Sequence, residues 1–402
     1  MQNRVVITGL GVISSIGIGW KEFWDSLQQG KSGITPISSI DTSNHFTHLG
    51  GEIKNFKPEE FIEKGRASFL SRATQLAFAA AKLAVADAKL NVSKNNNICV
   101  CLGTTNGPTQ AIEHINDLIA LHNEKEINSQ SICKIPTNSA PAFLSTELRL
   151  CNSNFIISTA CAAGNYAIGY GYDQIVLGKT DIALVGGSDP FIRFAFTGFN
   201  QVSAVAPEKC QPFDKNRKGM QVAEGAGILV LESLENALKR NAHIYAEVIG
   251  YGLSCDAYHM TTSTVEGIAT CMKKAIKEAG ITINDVDYIS AHGTGTPTND
   301  KNECAAIKAV FGSRYKSIPV SSIKSMLGHT MGAASAIETI TCALVVKNDI
   351  IPPTINFETP DPECDIDCVP NQARRHDVNI ALNNSYAFGG NNASLVIKKY
   401  SV

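Results

Sequence analysis

Charge and aromatic residues are scarce in this chain: Asp, Glu, Lys and Arg make up 18% of 402 residues, Phe, Trp and Tyr 7%, and there are two tryptophans. Low charge beside 44% hydrophobic residues excludes a disordered or fibrous protein, and the length suffices for two core-forming units. A formal net charge of −2 excludes a global electrostatic pull toward nucleic acid or an anionic membrane, so any charged partner has to be met by a local patch. No apolar stretch approaches the roughly 20 residues that cross a bilayer. The run from Val5 to Ile18 follows Arg4 as in a secretory signal, but its glycines and serines, and the lack of a small-x-small cleavage site, favour a buried strand and a turn.

Cysteine is not scarce, yet none of the twelve forms a Cys-x-x-Cys pair, which excludes the usual disulfide and zinc frameworks and points to a reducing cytoplasm. Cys364 and Cys368 could be half a metal site, but no second half follows, and no metal is expected. The Gly9-x-Gly11 pair lacks a third glycine, Ser14 standing in its place, and lacks the acidic residue of a dinucleotide fold.

What is present is an internal correspondence. Val5 to Val12 and Glu247 to Leu253 are both β-branched runs punctuated by glycine. A helical segment from Leu76 to Leu90 leads into Ile98 to Gly103, and one from Gly267 to Ala279, capped by Gly280, leads into Val286 to Gly293. A third pairing sets the helix near Cys161 against the helix near Gly332, each followed by a strand, Ile182 to Val185 and Ile350 to Ile355. The chain therefore reads as two similar α/β halves, residues 1–245 and 246–402, with insertions at about 13–70 and 106–155 in the first. Pro352 to Asp367 reads as a surface excursion.

Three clusters carry chemistry: Ser158 to Gly164 around Cys161, Ala291 to Thr296 around His292, and Lys324 to His329. One thiol, two imidazoles and one ammonium supply a nucleophile and donors for an oxyanion, an inventory suited to thioesters. Cys161 falls on a strand-to-helix turn, where the helix N-terminus favours a thiolate, and the small neighbours Ala160, Ala162, Ala163 and Gly164 suggest room for substrate. Either histidine alone could as well be a core or loop residue. Lys324 lies in an otherwise nearly uncharged stretch, and Glu338 is its candidate counter-ion.

Together these residues resemble the condensing enzymes of the thiolase superfamily, specifically the type II β-ketoacyl-acyl-carrier-protein synthases. The resemblance runs end to end, from Arg4-Val5-Val6-Ile7-Thr8-Gly9 through Asp256-Ala257-Tyr258-His259-Met260-Thr261 and Val320 to Ser325, to Asn384 to Gly390. It implies a five-layered αβαβα fold, usually dimeric, with an identical or homologous second subunit. It implies that Cys161 carries the acyl group, with the backbone N–H groups of Cys161 and Phe388 as oxyanion hole. His292 and His329 would stabilise an enolate as malonyl loses CO2, and Lys324 with Glu338 would support them. Thr294 and Thr296 would hold the phosphopantetheine of an acyl-carrier protein, with no permanently bound cofactor. Lys64, Arg66, Arg72, Lys215, Arg217 and Lys218 are candidates for docking that acidic carrier.

The chain departs from the family's usual residues at Ala162-Ala163, at Ala387 before the gate phenylalanine, at Asn391, and in the pocket loop Gly103 to Pro108. If glycine at 387 serves backbone freedom, Ala387 stiffens the gate. These changes leave two pathways open, fatty-acid elongation and a specialised type II polyketide or polyene route. A degradative thiolase needs a second active cysteine, and none follows Cys368. A non-catalytic chain-length factor would not need Cys161, and a cysteine peptidase would leave the second histidine and the lysine unexplained.

Overall fold

The computed structural model describes residues 3–93 and 97–401. Its first half runs β1 (Val5–Ser14), α1 (Arg72–Asp87), β2 (Ile98–Gly103), α2 (Ser139–Leu148), β3 (Asn154–Ile157), α3 (Ala163–Val176), β4 (Ile182–Asp189) and β5 (Gly225–Ser233). The second repeats this order as β6 (Ala246–Cys255), α4 (Val265–Glu278), β7 (Tyr288–Ser290), α5 (Pro297–Phe311), β8 (Val320–Ser321), α6 (Ala334–Asn348), β9 (Ile380–Tyr386) and β10 (Asn391–Lys399).

Strand order shows the repeat directly. In the first half it is β3-β2-β4-β5-β1 and in the second β8-β7-β9-β10-β6. In each, the first three strands are parallel and the last two join antiparallel. The two five-stranded units meet where β1 pairs with β6, through Val5 and Val248, Val6 and Glu247, Ile7 and Ala246. Helices α3 and α6 pack on each other between the units, α1 and α2 cover the first and α4 and α5 cover the second, giving five layers.

Burial explains the run of residue types. Every residue of β1, β2, β4 and β5 is buried, so these strands read as continuous apolar runs rather than alternating ones. In α6 all residues from Ala334 to Val346 are buried, as a helix sandwiched between two sheets must be. The glycine pair at the first strand serves packing: a Cβ at Gly11 would sit 1.9 Å from the Ala80 carbonyl oxygen, and one at Gly9 2.3 Å from that of Ala84. Helix α1 thus lies directly on the β1 backbone.

One expected pairing is corrected. Ile350–Ile351 forms a two-stranded ribbon with Arg374–Arg375 outside the main sheet, and the strand of the second half that occupies the place of β4 in the repeat is β9. The excursion between α6 and β9 displaces that strand some thirty positions along the chain, and local apolar content cannot reveal the displacement. The 106–155 insertion contributes helices Thr109–Ala120 and Ser129–Cys133 as well as α2. Among the described residues no helix is long and apolar enough to cross a membrane. Cys364 and Cys368 are both buried in the apolar layer beside α4 and α5.

Candidate active site

The pseudo-repeat puts the starts of α3 and α6 side by side, and the site forms there. Each helix is entered through a tight turn holding a non-glycine residue in the left-handed region, Ala160 at φ +47° and Met331 at φ +52°. Backbone strain of this kind persists where surrounding structure fixes it. The turn before α3 exposes Cys161 to a cavity of 430 Å³, and its carbonyl accepts from Ser385 Oγ at 2.9 Å and Ser335 Oγ at 3.3 Å.

The small residues after Cys161 have a purpose other than the expected one. Ala162 and Ala163 are fully buried, a Cβ at Gly164 would come 2.7 Å from the Ala336 nitrogen, and one at Gly103 2.3 Å from the Ala163 carbonyl carbon. They let α3, α6 and β2 meet closely, and of the four small neighbours only Ala160 lines the cavity.

His329 Nε2 lies 3.1 Å from Cys161 Sγ, while its Nδ1 accepts from the Met331 N–H at 3.2 Å. A nitrogen accepting from an amide N–H carries no proton, so in the neutral ring the proton is on Nε2, pointing at the sulfur. His292 stands beside it, the rings perpendicular at 5.4 Å. Its backbone is fixed by Glu303, whose two carboxylate oxygens accept from His292 N and Gly293 N at 2.9 and 2.8 Å. Sγ and one nitrogen of each ring lie within 4.8 Å of one another. Three such groups could in principle hold a cation, but His329 Nε2 keeps its proton and offers no lone pair, so the arrangement suits hydrogen-bond donation.

Lys324 and Glu338 form an ion pair with side chains 1% and 2% exposed. Burial, reinforced by the Lys324 charge, drives both histidines well below the usual imidazole range, so both rings are neutral. Burial raises the Glu338 carboxyl to about 7 against the opposing pull of Lys324. Burial also pushes the Cys161 thiol up to about 12, against the pull of Lys324, which corrects the expectation of a resting thiolate. The helix N-terminus is there, but desolvation outweighs it in the closed site.

The remaining expected residues divide. Phe388, Thr294 and Thr296 line the same cavity, and the two threonine hydroxyls hydrogen-bond at 2.8 Å. Ala387 is extended, at φ −124°, and the left-handed angles fall on Gly389 (+83°) and Gly390 (+78°), so the gate's freedom lies two residues further on. Of the basic candidates, Arg217 is buried in an ion pair with Asp361 and Arg72 is held by Glu224, so neither presents a free charge. Arg66 is paired with Glu147; Lys64, Lys215 and Lys218 are exposed. Residue-by-residue reading passed over three buried carboxylates that pin loops by their oxygens: Glu303, Asp300 (to Phe213 N and Gly295 N) and Asp189. Asp189 is the one charged residue in its strand, a signal available in the sequence.

A thiol and two neutral imidazoles at the adjoining helix starts of a duplicated αβαβα fold define a condensing enzyme of the thiolase superfamily. Comparison with known proteins agrees. Residues 2–237 match the β-ketoacyl synthase N-terminal domain and 245–358 its C-terminal domain. The chain is 41% identical over 409 aligned residues to 3-oxoacyl-[acyl-carrier-protein] synthase 2 of Staphylococcus aureus, covering 99% of each. It is 38% identical to nodulation protein E of a Rhizobium species, covering 99% of this chain and 100% of that one. Among solved structures, the ishigamide ketosynthase/chain length factor superimposes at TM-score 0.97 with 44% identity over 100% of both chains. A type II polyketide ketosynthase, solved with its acyl-carrier protein, does so at 0.92 with 34% identity, again over 100% of both. The chain belongs to the β-ketoacyl synthase family and is an acyltransferase of the 3-oxoacyl-acyl-carrier-protein synthase type.

Proposed function

We propose that Cys161 takes an acyl group from a carrier protein as a thioester and that the chain condenses it with malonyl-carrier protein. The supporting observation is the fixed tautomer of His329, which presents an N–H 3.1 Å from the nucleophilic sulfur. With His292 alongside, two neutral donors converge where a malonyl thioester oxygen would sit and where negative charge develops as CO2 leaves. The carbanion then attacks the acyl carbonyl. A C–C bond forms, the thioester bond between the acyl carbonyl carbon and Cys161 Sγ breaks, and the products are β-ketoacyl-carrier protein, CO2 and the Cys161 thiolate, which regains a proton. The N–H groups of Cys161 and Phe388 serve as oxyanion hole, Thr294 and Thr296 receive the phosphopantetheine arm, and Lys324 with Glu338 sets the local field. Lys64, Lys215 and Lys218 remain as docking charges for the carrier.

Two pathways suit this chemistry. Fatty-acid elongation is supported by the Staphylococcus aureus relative, and a specialised type II polyketide or polyene route by the ketosynthase structures at 44% and 34% identity. A dimer, with an identical or homologous subunit, fits the edge strand β3, whose Phe155 is 40% exposed. The deciding experiment is intact-protein mass spectrometry with a panel of acyl-carrier proteins, peptide mapping at Cys161, and a malonyl-carrier chase. A saturated adduct released as a β-ketoacyl product supports elongation, whereas preference for unsaturated or polyketide starters supports the specialised route. Absence of any Cys161 adduct would refute the nucleophile assignment.

A further inference from the structure

A buried carboxylate ties the pocket loop of the first half to the His329 turn of the second. Asp189 ends β4 and is fully buried, yet its side chain accepts five hydrogen bonds. Four come from the pocket loop after β2: Thr104 Oγ1 at 2.8 Å, Thr105 N at 2.7 Å, Asn106 N at 2.8 Å and Gly107 N at 3.3 Å. The fifth comes from Gly332 N at 2.6 Å, in the strained turn that follows His329. Gly332 adjoins Met331, whose N–H sets the His329 tautomer. A connected path therefore runs from the pocket loop, which carries Thr105 into the cavity wall, through Asp189 to the proton that His329 points at Cys161.

We infer that Asp189 is a positioning residue for the decarboxylation step, holding the 329–332 turn so that His329 keeps its Nε2–H tautomer, and coupling that turn to the pocket loop. The inference rests on the condensation reading above. A carboxylate suits the task because it only accepts, and all five groups facing it donate. An asparagine would turn an NH2 toward at least one of those donors and unseat the turn. Of the titratable groups, Cys161 lies close enough to interact with Asp189, and Glu224, with its partner Arg72, sits beside the β5 neighbour Gly225. Burial raises the Asp189 carboxyl to about 6 against the opposing pull of these hydrogen bonds.

The test uses the full chain, with Asp189→Asn made alone and in a Cys161→Gln background that isolates decarboxylation of malonyl-carrier protein. Histidine labelled with 15N reports the His329 tautomer by NMR, assigned with a His329 variant. Expected results are a tenfold or greater loss of decarboxylation kcat with KM changed less than threefold, and loss of the pure Nε2–H signature. In the Cys161→Gln parent, decarboxylation falls as pH drops through about 6, following protonation of Asp189. In Asp189→Asn the limb near pH 6 is lost, and any acid limb left is that of Glu338, whose carboxyl is raised to about 7. Should that variant misfold, Gly332→Ala presses the same contact, since its methyl would come 2.6 Å from Asp189 Oδ2, and the same tautomer change is expected. An unchanged tautomer in a folded variant, or an acid limb that persists with the same midpoint, overturns the inference. If Cys161→Gln does not decarboxylate malonyl-carrier protein at all, the condensation reading fails instead, and the NMR result still decides the role of Asp189.

Discussion

Lys324 is a buried charge whose loss strands its partner. Removing it leaves Glu338 buried and unpaired, which costs about 3–5 kcal/mol. Lys324→Met is therefore expected to lower the unfolding free energy by that order in urea titration. Lys324→Met combined with Glu338→Leu should recover most of the stability and none of the lost activity. Recovery of activity in the double variant would show that the pair is structural only.

Glu303 is a second residue-scale case, with the opposite charge logic. Burial raises its carboxyl to about 8, although it accepts from two backbone N–H groups. A carboxyl whose folded value is raised favours folding below its unfolded pKa, near 4.5, and that contribution is lost as pH rises toward 8, because the unfolded chain ionises first. The melting temperature should decline across this window, and Glu303→Gln should flatten the decline. An equal slope in the variant would place the effect on other groups.

Among the elements, α1 and β1 show how closely a helix can approach a strand when glycine faces it. Gly11→Ala puts a methyl 1.9 Å from a helix carbonyl, and separating the two elements is expected to cost about 1–3 kcal/mol, read as a lower urea midpoint. The gate loop is governed by a different glycine effect. Gly389 at φ +83° already uses a conformation that costs an alanine roughly 1–2 kcal/mol, and its space is otherwise open. Gly389→Ala should slow acyl loading of Cys161 and lower stability by about 1–2 kcal/mol. Ala387→Gly, at an extended position, should act through added freedom alone and alter the chain-length profile. An unchanged profile would assign chain selection to the pocket wall.

For the whole molecule, the far edge of the first sheet unit is the surface to probe. Strand β3 is an edge, and it carries the exposed Phe155 against Tyr170. Phe155→Asp should shift sedimentation toward the monomer and lower activity only at protein concentrations where dissociation occurs. An unchanged sedimentation coefficient would count against β3 as the edge of the proposed dimer. The same scale explains the two misread features. The small residues around Cys161 serve a helix–helix crossing, and two of the six basic docking candidates are consumed by Asp361 and Glu224. Both outcomes depend on partners more than 100 residues away in sequence.

Periodicity and repeated glycine-punctuated strands determined the α/β class and the duplicated halves, because each strand's burial is written in its own residues. The chemistry-bearing clusters at Cys161, His292 and Lys324 to His329 were legible for the same reason: a reactive side chain in a small-residue setting is a local signal. The sequence could not settle which strand of the second half is the counterpart of β4, which nitrogen of His329 carries the proton, or whether the thiol at Cys161 is ionised. Those were decided by the tertiary structure, which alone sets desolvation, brings the Met331 N–H to His329 and fixes the His292 backbone against Glu303.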